Sequence, residues 1–167
     1  FNCMTSHESS LHQFIPSEKL RHKPEDVTLP PYCPDTPEMR HDWAQYYDKI
    51  EDMDTWVGEK LKELEESGLA ENTIVFYYGA NGGVLARSKR FIYETGTHIP
   101  LLIRIPEKYK SLYPAAAPGQ KIDRLVNFVD LVPTLLSITG VTIPDYMQGN
   151  AFLGAQKTKD PKYTFMS

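Results

Sequence analysis

Trp43, Tyr46, Tyr47, Ile50, Met53, Val57, Leu61 and Leu64 recur at intervals of three and four residues. That spacing lines side chains along one stripe of an α-helix and predicts a helix from about 38 to 67. Asp35-Thr36-Pro37-Glu38 supplies the start, with Thr36 or Asp35 as cap and Pro37 in the first turn. Gly68 supplies the stop in the left-handed position past the last turn. Lys60, Lys62, Glu63, Glu65 and Glu66 fall mostly off the stripe, and the acidic run Glu51-Asp52-Asp54 reads as a solvated face rather than a metal site. Thr73-Ile74-Val75-Phe76-Tyr77-Tyr78 and Ile99-Pro100-Leu101-Leu102-Ile103-Arg104-Ile105 are continuous apolar runs without alternation. Such runs predict strands covered on both faces, typical of a parallel sheet. A shorter helix is expected over 130 to 139, with Val129, Val132, Leu135, Leu136 and Ile138 inward, Pro133 in the first turn and Gly140 as its stop. Helix, buried strand, loop, buried strand, helix is an α/β layer architecture. The stretch 16–37 has no period and carries Pro16, Pro24, Pro30, Pro31, Pro34 and Pro37, so it reads as a long surface loop.

Composition sets limits on this picture. A chain of 167 residues suffices for one ordinary domain with a core, and 41% apolar with 24% charged residues fits a soluble globular protein. Eighteen basic against twenty-two acidic residues leave a net charge of −4, which argues against a polyanion-coating nucleic-acid binder but leaves room for a local basic pocket. No run approaches the roughly 20 apolar residues that cross a bilayer, so no membrane partner is expected. Phe1-Asn2-Cys3-Met4 lacks the basic start and apolar run of a signal peptide, and Cys3 with Cys33 allows at most one disulfide. Phe1–Met4 reads as the end of a strand and Tyr163-Thr164-Phe165 as the beginning of another. On that reading the segment belongs to something longer, with sheet edges that favour self-association or a partner chain.

Candidate chemistry gathers after the first apolar strand. Gly79-Ala80-Asn81-Gly82-Gly83 follows Tyr78 directly, where open α/β sheets bind ligands and where glycines let backbone approach a bound group. Arg87, Lys89 and Arg90 come next, then Tyr93-Glu94-Thr95-Gly96-Thr97-His98 before the second strand. Three cations and a histidine there suit an anionic substrate; a solvated basic loop is the alternative. His7, in Met4-Thr5-Ser6-His7-Glu8, follows the strand-like opening segment. It reads either as a hydrogen-bonded loop residue or as a proton donor to a leaving oxygen.

Asn72 through Gly83, then Lys89 with Glu94 five residues on, then Gly96 and Pro100-Leu101-Leu102-Ile103-Arg104, together resemble the sulfatase family. Val129-Asp130-Leu131-Val132-Pro133-Thr134-Leu135-Leu136, then Gly140, Pro144 and Gly149, resemble the same family's next block, and the long helix with Asp54 and Gly58 fits as well. The resemblance covers about 1 to 154. It implies an alkaline-phosphatase-like α/β fold, a sheet flanked by helices, with residues 1–167 forming part of one catalytic domain. It also implies hydrolysis of sulfate esters or sulfamates by a formylglycine nucleophile beside a divalent cation, usually calcium. On that template Lys89 grips the sulfate, His7 protonates the leaving oxygen and Asn81 is a metal ligand. Arg87 and His98 flank these positions as further substrate contacts. A sulfated small molecule or glycan is the implied partner, and a secreted, periplasmic or lysosomal location goes with the family.

Two departures qualify the resemblance. Ala80 stands where the family has an Asp ligand, and a hard cation such as calcium prefers anionic oxygen. The nucleophile motif, Cys or Ser followed by x-Pro-x-Arg, occurs nowhere in the chain, so the N-terminal part of the catalytic domain that carries it is missing and the fold is incomplete. The segment alone is therefore expected to be inactive. Two other readings stay open: a non-catalytic binder that holds sulfated glycan by charge, and a hydrolase of phosphonate or phosphate esters.

Overall fold

The computed structural model describes residues 19–83, 85–114 and 118–164. His7, Cys3 and the strand expected at Phe1–Met4 lie outside them. The described residues divide into two compact units, one taking those up to Ala70 with Tyr77–Leu101, the other Glu71–Phe76 with those from Leu102 onward.

In the first unit the long helix forms as the apolar stripe predicts. Helix α1 runs Pro37–Glu66, and the Thr36 hydroxyl accepts from the Met39 N–H, satisfying one of the donors left open at the helix start. Gly68, at φ 71°, takes the left-handed position past the end. The residues α1 buries most deeply are Ala44, Gln45 and Asp48, on the face away from the apolar stripe, whose residues are half-buried apart from the exposed Ile50. Arg21 and His22 each donate a backbone N–H to the Asp48 carboxylate at 2.9 Å, and the His22 ring approaches it at 2.7 Å through Nδ1. The Arg21 guanidinium reaches Glu51 at 2.9 Å and Asp52 at 2.6 Å. The acidic run is thus partly neutralised by the loop rather than simply solvated. Arg40 ties the other end of the loop, donating to the Val27 carbonyl at 3.0 Å and to Asp35 at 2.8 Å.

Burial works to raise the Asp48 pKa. The backbone N–H of Arg21, the ring and N–H of His22 and the nearby guanidinium charge together outweigh it and hold the carboxyl below its ordinary value. A depressed carboxylate contributes stability that is fully present above the unfolded value of about 3.9 and is lost as pH falls through the folded value. Asp48→Asn is accordingly expected to be less stable than the parent at neutral pH by about 1–3 kcal/mol, the cost of a broken buried network. In denaturant titrations this gap should close on acidification below about pH 4; a gap that stays constant would contradict the assignment.

Strands β1, Val75–Tyr78, and β2, Leu101–Arg104, pair as a two-stranded sheet. The Gly79 N–H, just past β1, donates to the Pro100 carbonyl, just before β2, at 3.2 Å, so the strands run antiparallel. This corrects the expectation of a parallel sheet covered on both faces: no β1 or β2 residue is fully buried, and Leu102 is 58% exposed. An apolar run reports what could be buried, not the direction of the neighbouring strand. The antiparallel pairing has a consequence for the site. Its connection, 79–100, is a single long loop containing the candidate residues, with the four-residue helix α2, Glu94–Thr97, inside it.

In the second unit, helix α3 spans Leu131–Thr139 and ends at Gly140 in the left-handed conformation. Its buried side is Pro133, Thr134 and Ser137; of the residues expected inward, Leu136 and Ile138 are half-buried, whereas Val129, Val132 and Leu135 are exposed. The cause is the segment that packs on the helix. The Phe152 N–H donates to the Thr134 hydroxyl at 3.0 Å, the Gln156 N–H to the Ser137 hydroxyl at 2.8 Å, and the Asn150 N–H to the Asp130 carboxylate at 2.8 Å. Small hydroxyl residues let that backbone approach closely, and a Cβ at Gly154 would strike Ser137. Thr134→Val preserves shape but strands the buried Phe152 N–H. A loss of about 1–3 kcal/mol in chemical denaturation is expected, and an unchanged midpoint would contradict it. Tyr163 and Thr164 lie outside any strand, with Thr164 accepting from Asn127 at 3.2 Å.

Candidate functional site

The loop 79–100 is held by its own backbone. Beyond the Gly79–Pro100 bond at its neck, the Gly82 N–H donates to the Gly96 carbonyl at 3.1 Å and the Lys89 N–H to the Gly83 carbonyl at 2.9 Å. The Thr95 hydroxyl donates to the Arg87 carbonyl at 2.5 Å. Glycines are required where segments cross: a Cβ at Gly82 would collide with the Thr95 carbonyl, and one at Gly96 with the carbonyl oxygens of Ser88 and Phe91. Helix α1 supports the base, since a Cβ at Gly83 would lie 2.9 Å from the Tyr46 hydroxyl. The Tyr46 phenol is pushed above its ordinary pKa, first by burial and then by the neighbouring Tyr47 and Tyr77. Tyr77 on β1 reaches back to α1 through its hydroxyl, 3.1 Å from the Met53 sulfur.

Within this frame Asn81, Lys89, Arg87 and His98 occupy one loop, and all four are exposed. His98 pairs through Nδ1 with Glu94 at 3.1 Å. The Arg87 guanidinium lies 4.9 Å from the Tyr32 ring centre and 5.0 Å from that of Tyr93, so two aromatic faces engage the cation. Nothing in the spacing joins Tyr32 of the proline-rich loop to Tyr93, about sixty positions later, so this contact has no sequence signal. Lys89 shows no carboxylate partner among the described residues. His7 lies outside the described residues.

The sulfatase family model matches residues 4–141. The chain belongs to the sulfatase family. An ulvan-active sulfatase of Formosa agariphila is 44% identical over 135 residues, covering 81% of this chain and 22% of that protein. Human N-sulphoglucosamine sulphohydrolase is 34% identical over 123 residues, covering 74% of this chain and 23% of that protein. Arylsulfatase K of Xenopus laevis is 34% identical over 120 residues, covering 70% and 21%. The chain therefore spans about a fifth of the length of the curated relatives it matches. Sulfatases are sulfuric ester hydrolases with an alkaline-phosphatase-like fold, and the two-stranded sheet with its helices is compatible with a part of that fold.

Sulfatases generally use calcium and formylglycine, and calcium takes six to eight oxygen ligands. The described residues do not by themselves fit such an ion at Asn81, where Ala80 brings no side-chain oxygen and the Asn81 amide supplies a single neutral one. Among the described residues, the group of carboxylates and histidine close enough to share a cation is His22, on the loop along α1, with Asp48 and Glu51 of α1. Arg21 already sits 2.9 Å from Glu51 and its N–H on Asp48, so a second cation would meet a guanidinium there.

Proposed function

We propose that this chain forms part of the active site of a hydrolase of sulfate esters or sulfamates on sulfated sugars, completed by residues beyond these 167. The observation that supports it most is the self-closed loop 79–100, which presents Lys89 close behind the Gly79–Gly83 turn inside the segment that matches the family. Two relatives named for ulvan and for N-sulphoglucosamine favour sugars as the substrate class. In this reading the Lys89 ammonium offsets charge on the sulfate oxygens as the S–O or S–N bond breaks. His7 gives its proton to the leaving oxygen or nitrogen, and water supplies the atoms that complete sulfate. Arg87 and His98 border the substrate. Asn81 offers one oxygen to a cation whose other ligands come from outside the segment. The isolated chain, without the nucleophile motif, is expected to show no turnover, and measurable arylsulfatase activity by the 167 residues alone would refute this division of labour.

Ala80 favours a second reading, a sulfated-glycan binder in which charge alone holds the ligand. The two separate on one substitution. If the site is catalytic and its cation weakly held, Ala80→Asp in the complete polypeptide should tighten calcium binding by about tenfold or more and raise calcium-dependent sulfate release. Glycan binding that ignores both the substitution and a chelator would favour the binder.

A further inference from the structure

Arg87 and Arg90 are the two non-glycine residues with left-handed backbone among those described, at φ 63° and 73°. Side chains adopt that region at a cost, and such strain collects at ligand-holding sites. Arg21, Arg40, Arg104 and Arg124 each have a carboxylate partner, whereas Arg87 and Arg90 have none among the described residues. Next to them Phe91 and Tyr93 lie nearly parallel, 27° apart with ring centres 6.1 Å apart, and remain 55% and 49% exposed. Arg87, between Tyr32 and Tyr93, backs the Tyr93 ring of that shelf. The sulfate grip assigned to Lys89 uses neither Arg90 nor the aromatic pair.

We propose that Arg90, Phe91 and Tyr93 form a second subsite that takes the neighbouring ring of an acidic, sulfated oligosaccharide. The proposal rests on the reading of Lys89 as the sulfate grip for the first ring. A pyranose offers an apolar C–H face, which an exposed aromatic shelf accepts, and a sulfate or carboxylate edge, which an arginine fork pairs with in a bidentate manner. An apolar protein partner would leave Lys89 and Arg90 without counter-charge, so charge complementarity selects the acidic glycan. Because Tyr93 is stacked on Phe91 and backed by Arg87, its ring gives up little side-chain freedom on binding.

The test titrates the complete polypeptide that carries this segment with two probes, a heparin-derived hexasaccharide and the monosaccharide glucosamine N-sulfate, followed by NMR. Arg90→Asn, which keeps a residue that tolerates left-handed backbone, and Phe91→Ala should each weaken hexasaccharide binding about tenfold and leave the monosaccharide within about twofold. Lys157→Ala, an exposed lysine elsewhere, should change neither, and far-UV circular dichroism confirms that each variant keeps its helix content. Equal hexasaccharide affinity in parent and variants, or no hexasaccharide binding by the parent, would overturn the subsite. Loss of both probes in Lys89→Ala alone, with Arg90→Asn and Phe91→Ala silent, would leave the sulfate grip standing and remove the subsite. Hexasaccharide binding that needs Arg90 and Phe91, in a complete polypeptide that releases no sulfate, would keep the subsite and remove the hydrolase.

Discussion

Gly96→Ala in the complete polypeptide is expected to lower sulfate-ester hydrolysis about 100-fold, the scale of a catalytic group displaced by about 1 Å. The argument is steric. A methyl group at position 96 collides with the carbonyl oxygens of Ser88 and Phe91, and the Gly96 carbonyl meanwhile accepts from the Gly82 N–H. All the atoms in the way belong to the backbone, so no rotamer change relieves the contact. The stretch 88–91 must shift, and Lys89 moves with it. Gly58→Ala is the matched control. It lies inside α1 with nothing within 4 Å of a new Cβ, and should be neutral or more stable by about 0.5–1 kcal/mol. Comparable losses at both positions would mean that the close approach at Gly96 has no bearing on the site.

Lys89→Ala should have a larger effect on turnover, about 100- to 1,000-fold in kcat/KM, as when one positioned donor is removed from a developing anion. In its proposed role the ammonium is matched to charge that grows as the bond to sulfur breaks, so the loss should fall mainly on kcat. Lys89→Arg keeps the charge but replaces a compact ammonium by a broad fork, and should recover only part of the rate. A full-rate Lys89→Ala enzyme would show that Lys89 is a solvated surface residue. Stability is a separate readout: the Lys89 bond to Gly83 is made by the backbone, so truncating its side chain should leave denaturation unchanged.

Much of the frame was legible in the residues. The stripe from Trp43 to Leu64 and the Thr36-Pro37 start gave α1 nearly to the residue, because cap chemistry and helical period act locally. Gly140 marked the end of α3 for the same reason. Long-range choices were not legible. Whether β2 runs with or against β1 depends on how the 79–100 loop folds on itself, and that loop is held by backbone bonds that carry no side-chain signature. The inward side of α3 was misjudged because hydroxyls at Thr134 and Ser137 receive backbone N–H groups, an attraction that hydrophobic period does not count. Likewise the acidic run after Asp48 reads as solvated in sequence, whereas Arg21 of the proline-rich loop pairs with Glu51 and Asp52.

The site itself was half legible. Asn81 and Lys89 stood out through their place behind an apolar strand and through family resemblance, and they do share one loop. Arg87 was singled out for its charge, yet its surroundings are two tyrosine rings, a contact that depends on tertiary packing alone. Arg90 was noted as a cation but not as a strained one, since left-handed backbone at a non-glycine residue leaves no mark in sequence.

The most direct test of the central claim is the release of inorganic sulfate from a sulfated sugar by the complete polypeptide carrying this segment, with phosphate release from the matching phosphate ester measured in parallel. Sulfate release that drops in Lys89→Ala, with little phosphate release, is the predicted result. Phosphate release in excess of sulfate release, or sulfate release indifferent to Lys89, would contradict it.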